Sequence, residues 1–478
     1  MSRRTAALLL SLALPLAGCA SGPDYRPRGA AELGVPGSYS VTAPAQERED
    51  LTRWWDRFDD PQLSSLIARG AEGNLDVARA VARLRQARES LVQARGQLLP
   101  GVTASGGYSR NLPVNGGGQA GGSFSIGADA SWQADLFGGN RRGVEAAQAG
   151  YQASGFDYAQ VLTAIQAEIA RNYVLARAAQ AQLANARDAL AIQDDNLQIA
   201  QWRVQAGLVS SLDVEAARAQ RAQTAAGIPS LEASYNGFVS RLGVLTGQAP
   251  GALKPELEAV RPIPRGPAAV GVGIPADTLR QRPDVRSAER SLAAATANIG
   301  VAAAQLYPAL SIGGSIDAGA ASIGNVFDVI TGRLFASVAQ TIFDGGRLRS
   351  QVRAREAAAE DAFLAYKSTV LTALEDIENA IVALQAARTR EGEYRVALDA
   401  ASTQALLARD QYRAGLTDFT TLNQAEAQLL SARNGLVQAQ SDGATALIQL
   451  YLALGGGWDS SVTPEAPPIN TGSTPDGN

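Results

Sequence analysis

Residues 76–100 read DVARAVARLRQARESLVQARGQLLP, and residues 284–308, lying 208 positions later, read DVRSAERSLAAATANIGVAAAQLYP. Asp76-Val77, Leu84, Gln97-Leu98 and Pro100 return as Asp284-Val285, Leu292, Gln305-Leu306 and Pro308. Farther along, Gly138-Gly139 returns as Gly345-Gly346, and Ala206-Gly207-Leu208 as Ala414-Gly415-Leu416. One unit has been used twice. Each copy predicts a helix, a strand, a loop, a strand, a very long helix, a tight turn and a long helix. Strands and helices fall in separate blocks, which excludes an alternating α/β enzyme fold.

The strands carry period two. From Ser123 to Leu136, Phe124, Ile126, Ala128, Ala130, Trp132, Ala134 and Leu136 alternate with Ser123, Ser125, Gly127, Asp129, Ser131, Gln133 and Asp135. Leu310 to Ala318 repeats the pattern, with Leu310, Ile312 and Ile316 opposite Ser311, Ser315 and Asp317. Val102–Tyr108 and Leu334–Phe343 are weaker strands, and residues 110–122 and 319–332 are the loops. One apolar face and one small, polar face suit a water-filled barrel in lipid. Four strands cannot close such a barrel, and open edges in lipid leave backbone groups unsatisfied. Several copies must therefore share one barrel, in a number the pattern leaves open.

The long helices carry period seven. Leu162, Ile169, Ala176, Leu183, Leu190, Leu197 and Val204 form one seam, and Val370, Ile377 and Leu384, with Leu374 and Ile381, form the other. No proline interrupts Arg141–Val204. A sustained heptad predicts coiled-coil packing, and some 60 residues span roughly 90 Å as a helix. Each rod ends at a glycine turn, Gly207-Leu208 or Gly415-Leu416, before return helices starting near Ser211 and Thr420.

The N-terminus is an export signal: Arg3-Arg4, an apolar run from Ala6 to Leu16, then Leu16-Ala17-Gly18-Cys19. The last four residues look like a bacterial lipobox with Cys19 as the acylated residue, and Ala20 after it favours the outer membrane. Cys19 is the only cysteine, so no internal disulfide forms. The chain has no histidine and no methionine beyond Met1, which excludes histidine catalysis and imidazole metal sites. Without the signal, 40 basic residues face 46 acidic ones, a net charge of −6 that disfavours nucleic acid as a partner. Gly116-Gly117-Gly118 lacks the lysine and hydroxyl residue of a phosphate loop and reads as an extracellular loop.

Trp54-Trp55-x-x-Phe58-x-Asp60-Pro61-x-Leu63 and Gly22-Pro23-Asp24-Tyr25-Arg26-Pro27 resemble signatures of the outer-membrane factors, the TolC-like efflux ducts. Arg282-Pro283-Asp284-Val285, Ala297-Asn298-Ile299-Gly300 and Leu306-Tyr307-Pro308 are similar to the NodT-type lipoprotein branch. The resemblance runs from Cys19 to about Gly455. It implies a mainly α chain with a membrane β part, assembling as a homotrimer with a twelve-stranded barrel and an α-helical periplasmic tunnel. It also implies an exit duct with no enzymatic activity and no cofactor beyond the lipid on Cys19. The partners would be outer-membrane lipid, a periplasmic adaptor and an inner-membrane RND-type transporter.

The resemblance places adaptor contacts at Gly207, Leu208, Gly415 and Leu416, and gate residues at Asp213, Asp418, Tyr412, Arg413 and Gln424. At Thr421-Leu422-Asn423-Gln424 the chain departs from the family, which usually carries an aspartate there. Asp213 also fits a plain helix N-terminal carboxylate. Tyr412 and Arg413 are expected to hydrogen-bond across neighbouring helices. The expected organisation is a signal peptide (1–18), a lipidated extended segment (19–60), repeat one (61–245), an equatorial linker (246–282), repeat two (283–455) and a disordered tail (456–478). The cargo is expected to be small amphiphiles such as drugs. The same duct serving metal efflux or type I protein secretion is the second reading, and a pore-free lipoprotein scaffold is the third.

Overall fold

A computed structural model describes residues 21–41, 50–112 and 121–466. Cys19, the signal peptide and Gly116–Gly118 lie outside them. After a 3₁₀ turn at Trp54–Phe58 come α1 (Pro61–Gly73), α2 (Leu75–Gly96), β1 (Gly101–Asn111), β2 (Gly121–Ala134), α3 (Gly139–Gln205) and α4 (Ser211–Leu245). A linker with one-turn helices at Lys254–Leu257 and Pro275–Leu279 leads to the second copy. This copy comprises α5 (Pro283–Ala304), β3 (Ala309–Ala320), β4 (Ile330–Ala339), α6 (Arg347–Arg413) and α7 (Phe419–Ala453). Corresponding helices have equal lengths, 22, 67 and 35 residues in each copy. At 1.5 Å per residue the 67-residue rods are about 100 Å long.

Local chemistry sets the element ends. Asp60 caps α1, accepting from the Gln62 and Leu63 amides, with Pro61 at the first helical position where no N–H is needed. Asn74 breaks α1 from α2 and caps α2 through the Asp76 and Val77 amides. β2 ends at Ala134, short of the Leu136 expected from alternation, because Asp135 turns its carboxylate onto the Asn140 and Arg141 amides at 3.1 and 2.8 Å. Asp344 does the same for Gly346 and Leu348 at 2.9 and 2.8 Å. The second weak strand accordingly runs Ile330–Ala339 instead of Leu334–Phe343, and β3 extends to Ala320, shortening the loop between them.

The sheet order is β1-β2-β3-β4, antiparallel throughout, which leaves β1 and β4 as open edges. The core lies where helices of both copies meet the Trp54–Phe58 turn. Trp54 stacks on Tyr451 at 5.5 Å and meets Phe58 edge-on, beside buried Leu63, Leu66, Ile169, Ile377 and Ile448. Of the heptad residues, Ile169, Ala176, Leu183, Val370, Ile377 and Leu384 are buried, whereas Leu162, Leu190, Leu197 and Val204 are half-buried in the single chain.

Residues 456–466 are a correction to the disorder expected of 456–478, and residues 467–478 lie outside the described residues. Residues 456–466 pack onto the core: Trp458 meets Phe156 at 6.0 Å, the Gly457 amide donates to the Leu51 carbonyl, and the Ala466 amide donates to Tyr151 Oη. Gly455 and Gly457, at φ of 79° and 99°, turn the chain back into the groove. Burial of one indole there outweighs the polar composition of the segment.

Candidate functional site

Two places can carry function, the sheet and the far end of the rods. In the sheet, paired residues share a face. Tyr108 opposes Phe124, with rings 4.7 Å apart; Trp132 opposes Ile312; Ile316 opposes Ala128; and Leu310 opposes Val338. The other face pairs Thr103 with Asp129, Ser109 with Ser123, Gln133 with Ser311, and Ser315 with Arg333. On the apolar face Val102, Ile316, Leu334 and Val338 stand exposed, at 61–88% for the three in β3 and β4. Among the described residues no helix is long and apolar enough to cross a membrane. The apolar sheet face is the part built to meet lipid.

The junction between sheet and helices is rigid. Trp132 Nε1 donates to the Leu98 carbonyl and, at the matching position of the second copy, Gln340 Nε2 donates to Leu306, both at 3.0 Å. Phe137 stacks on Tyr307 at 4.7 Å, and the Ser21 amide donates to the Phe137 carbonyl at 3.0 Å. The described chain thus begins at the sheet's helical end. From there Arg142 holds the N-terminal segment through Asp24 and the Ser21 and Gly22 carbonyls.

At the far end both turns are Schellman caps. Leu208 N donates to the Arg203 carbonyl and Leu416 N to the Gln411 carbonyl, both at 2.8 Å, with Gly207 and Gly415 at φ of 70° and 77°. Leu208 and Leu416 point outward, 69% and 79% exposed. Asp213 is half-buried in the first turn of α4, whose cap is Ser210. Asp418 is the cap of α7, accepting from the Thr421 amide at 2.8 Å. Arg413 and Gln424 are exposed.

Tyr412 is buried, and its ring is covered by Arg203 at 4.7 Å rather than by Arg413. Arg203 Nη1 also donates to the Tyr412 carbonyl at 2.9 Å, and the ring meets Phe419 edge-on. Burial pushes the Tyr412 hydroxyl pKa up, and its Oη has no hydrogen-bond partner among the described residues. Asn196 to Glu426 at 2.7 Å and Asn185 to Asn434 at 3.1 Å complete the polar stitching between the two hairpins. These contacts were not visible in the sequence. Arg203 alone left a trace there, as the basic residue in the last turn of α3.

This arrangement makes two predictions. Tyr412→Phe keeps the ring under Arg203 and the Arg203 bond to its backbone carbonyl, and is expected to leave the tip nearly unchanged. Arg203→Ser removes both the ring cover and the carbonyl bond, and is expected to raise resting bilayer conductance severalfold above that of Arg413→Ser. Equal conductance for the two arginine variants would contradict it. The second prediction concerns pH. The Thr421 amide holds the Asp418 carboxyl below its ordinary value. Its capping stability is therefore complete above the unfolded pKa of about 3.9 and is lost as pH falls through the lower folded value. Amide exchange at Thr421 should accelerate in that window in the native protein, and Asp418→Asn should abolish the pH dependence while keeping a cap.

A one-faced membrane sheet continued by paired coiled-coil rods defines an outer-membrane channel protomer of the TolC-like kind. The chain belongs to the Outer membrane efflux protein family, which matches residues 66–248 and 274–456, two stretches offset by the same 208 residues as the internal repeat. Nodulation protein T of Rhizobium leguminosarum bv. trifolii is 32% identical over 466 residues, covering 93% of this chain and 96% of that protein. Pyoverdine export outer membrane protein OpmQ of Pseudomonas aeruginosa is 31% identical, covering 95% and 97%. The solved outer-membrane channel OprN superposes with a TM-score of 0.84 at 33% identity, covering 92% of this chain and all of that one. None of these similarities is to an enzyme.

Proposed function

We propose that three copies of this chain form the exit duct of a tripartite efflux pump. The observation that carries the reading is the pair of open edges on a four-stranded sheet whose outer face is apolar. β4 runs antiparallel to β3, and β3 runs parallel to β1, so β4 of one copy can receive β1 of the next in the same antiparallel sense. Three such joins close twelve strands and leave no unsatisfied backbone in lipid. The inner face is then a polar lumen, and the rods extend it through the periplasm.

The duct is passive. Cys19, two residues before Ser21, would carry the lipid anchor. The Ser21–Phe137 bond supports this, since two residues span at most about 7 Å and hold the anchor at the barrel's periplasmic rim. The protein needs no cofactor beyond that lipid. The exposed Leu208 and Leu416 turns would meet a periplasmic adaptor, which links the duct to an inner-membrane RND-type transporter. Small molecules, with amphiphiles such as drugs favoured, are the cargo: OpmQ is named for pyoverdine export, and a 27% identical protein of Pseudomonas putida, TtgF, for toluene efflux. Retention of a fluorescent amphiphilic dye in cells lacking the gene tests this. Raised retention, reversed by the intact gene, is the expected result; unchanged retention would move the duct to another cargo.

A further inference from the structure

Phe335 breaks the rule followed by the rest of the sheet. The polar face of the four strands is built of glycine, alanine and residues such as Thr103, Ser105, Asp129, Gln133 and Ser311, with Arg333 and Asp317 as further charges. Phe335 pairs with Gly313 and therefore shares that face. The geometry agrees. A Cβ on Gly313 would lie 2.5 Å from Phe335 Cζ, so the ring lies across the β3 backbone where only glycine leaves room. The other side of the ring is open, and Phe335 is 54% exposed while Gly313 is buried. No other side chain on this face of the described strands is aromatic or a large aliphatic. Joining β4 to β1 of a second copy does not cover the ring, because β1 offers Gly101, Thr103, Ser105, Gly107, Ser109 and Asn111 on that face, none of them aromatic or large and aliphatic.

We infer that Phe335 is a contact site in the barrel lumen for the aromatic part of cargo in transit. The inference rests on the duct reading above. Twelve strands at about 4.8 Å spacing and about 40° tilt enclose roughly 24 Å between opposite backbones, so three rings furnish the wall without closing it. A polar, hydrated wall gives an amphiphile's apolar surface no partner, whereas an exposed ring offers offset or edge-on stacking. Arg333 is exposed on the same face two residues away, about 7 Å along the strand. Asp129, across Ser315, and Asp317 share that face and offset its charge, so the ring and not the charge sets the ligand class. That class is a planar aromatic amphiphile.

The test is block of single-trimer current in a planar bilayer by naphthalene sulfonate added on the extracellular side, against an aliphatic sulfonate of similar size. Naphthalene sulfonate should block the native trimer more strongly, and Phe335→Ser should weaken that block by roughly threefold to tenfold. Phe335→Trp should preserve it, Phe335→Leu should fall between, and the aliphatic block should be the same in all four proteins. Trp and Leu keep a large apolar side chain over Gly313, so they report on the contact even if the serine variant assembles poorly. Equal loss of aromatic and aliphatic block, or no loss in any variant, would overturn the inference while leaving the duct standing. Absence of any conductance from the native protein would overturn the duct reading and this inference with it.

Discussion

Ile316→Arg is expected to abolish the assembled trimer in the outer membrane, while Ser315→Arg, one residue earlier, leaves it intact. The two positions are neighbours in β3 and point to opposite faces. Ile316 stands in the apolar row beside Ala128, 61% exposed in the single chain, and faces lipid once the barrel closes. An arginine near the bilayer midplane of a barrel costs about 2–4 kcal/mol. Three copies bear that cost together, which is comparable to the whole stability of a typical domain. Ser315 faces the lumen between Asp129 and Arg333, where water solvates a guanidinium and Asp129 offsets its charge. Heat-modified gel mobility of outer-membrane fractions reads the outcome directly. Equal trimer yield from both variants, or the reverse order, would place the apolar face away from lipid.

Much of this was legible because it rests on short periods and on repetition. The alternation through Phe124, Ile126, Trp132, Ile312 and Ile316 named the lipid face, and the seam through Ile169 and Ile377 named the packing face of the rods. What escaped has physical causes. The strand ends shifted because Asp135 and Asp344 cap the following helices, and a cap is decided by a few atoms rather than by a period. The weak second strand was set too late, which left out its first residues, Ile330 to Arg333. The contact of Arg203 with Tyr412 joins residues 209 apart, and only the packing of one hairpin on the other creates it. Trp458 sits in a polar segment whose composition suggests a loose tail, yet a single indole with a groove to fill decides otherwise. The repeat itself is the better guide where chemistry has diverged. Gln180 and Arg388 occupy matching positions, and both donate to linker carbonyls: Gln180 to Leu257 and Glu258, Arg388 to Pro267 and Ala268.

That clamp leads to the second large effect, at Arg177. Its side chain is 1% exposed, and it donates to the Ala259 carbonyl at 2.8 Å, the Leu257 carbonyl at 3.2 Å, and the side-chain oxygens of Gln62 and Gln180. Its guanidinium lies 5.0 Å over the ring of Tyr173. Tyr173 in turn donates to Asp60 at 2.7 Å, and burial, reinforced by that bond, pushes its hydroxyl pKa up to about 12. One residue thus ties the first long rod, the start of α1 and the equatorial linker together. Arg177→Ala leaves the Ala259 carbonyl and the Gln62 oxygen without this partner and opens a cavity beside Tyr173. Water can reach the exposed Ala259, and Gln62 keeps the Tyr173 hydroxyl, so the cavity left by the buried guanidinium and its lost bonds dominate, at about 3 kcal/mol. Leu257 keeps Gln180 and Tyr235 as donors, so the linker should loosen at Ala259 first. Arg177→Lys should recover only part of the loss, since one ammonium cannot reproduce a planar fork that serves four acceptors. Thermal unfolding of the purified protein in detergent measures the stability change, and limited proteolysis of the linker near Ala259 locates it. A melting temperature for Arg177→Ala within a degree of the native value would show that Gln180 and Arg388 hold the linker without it.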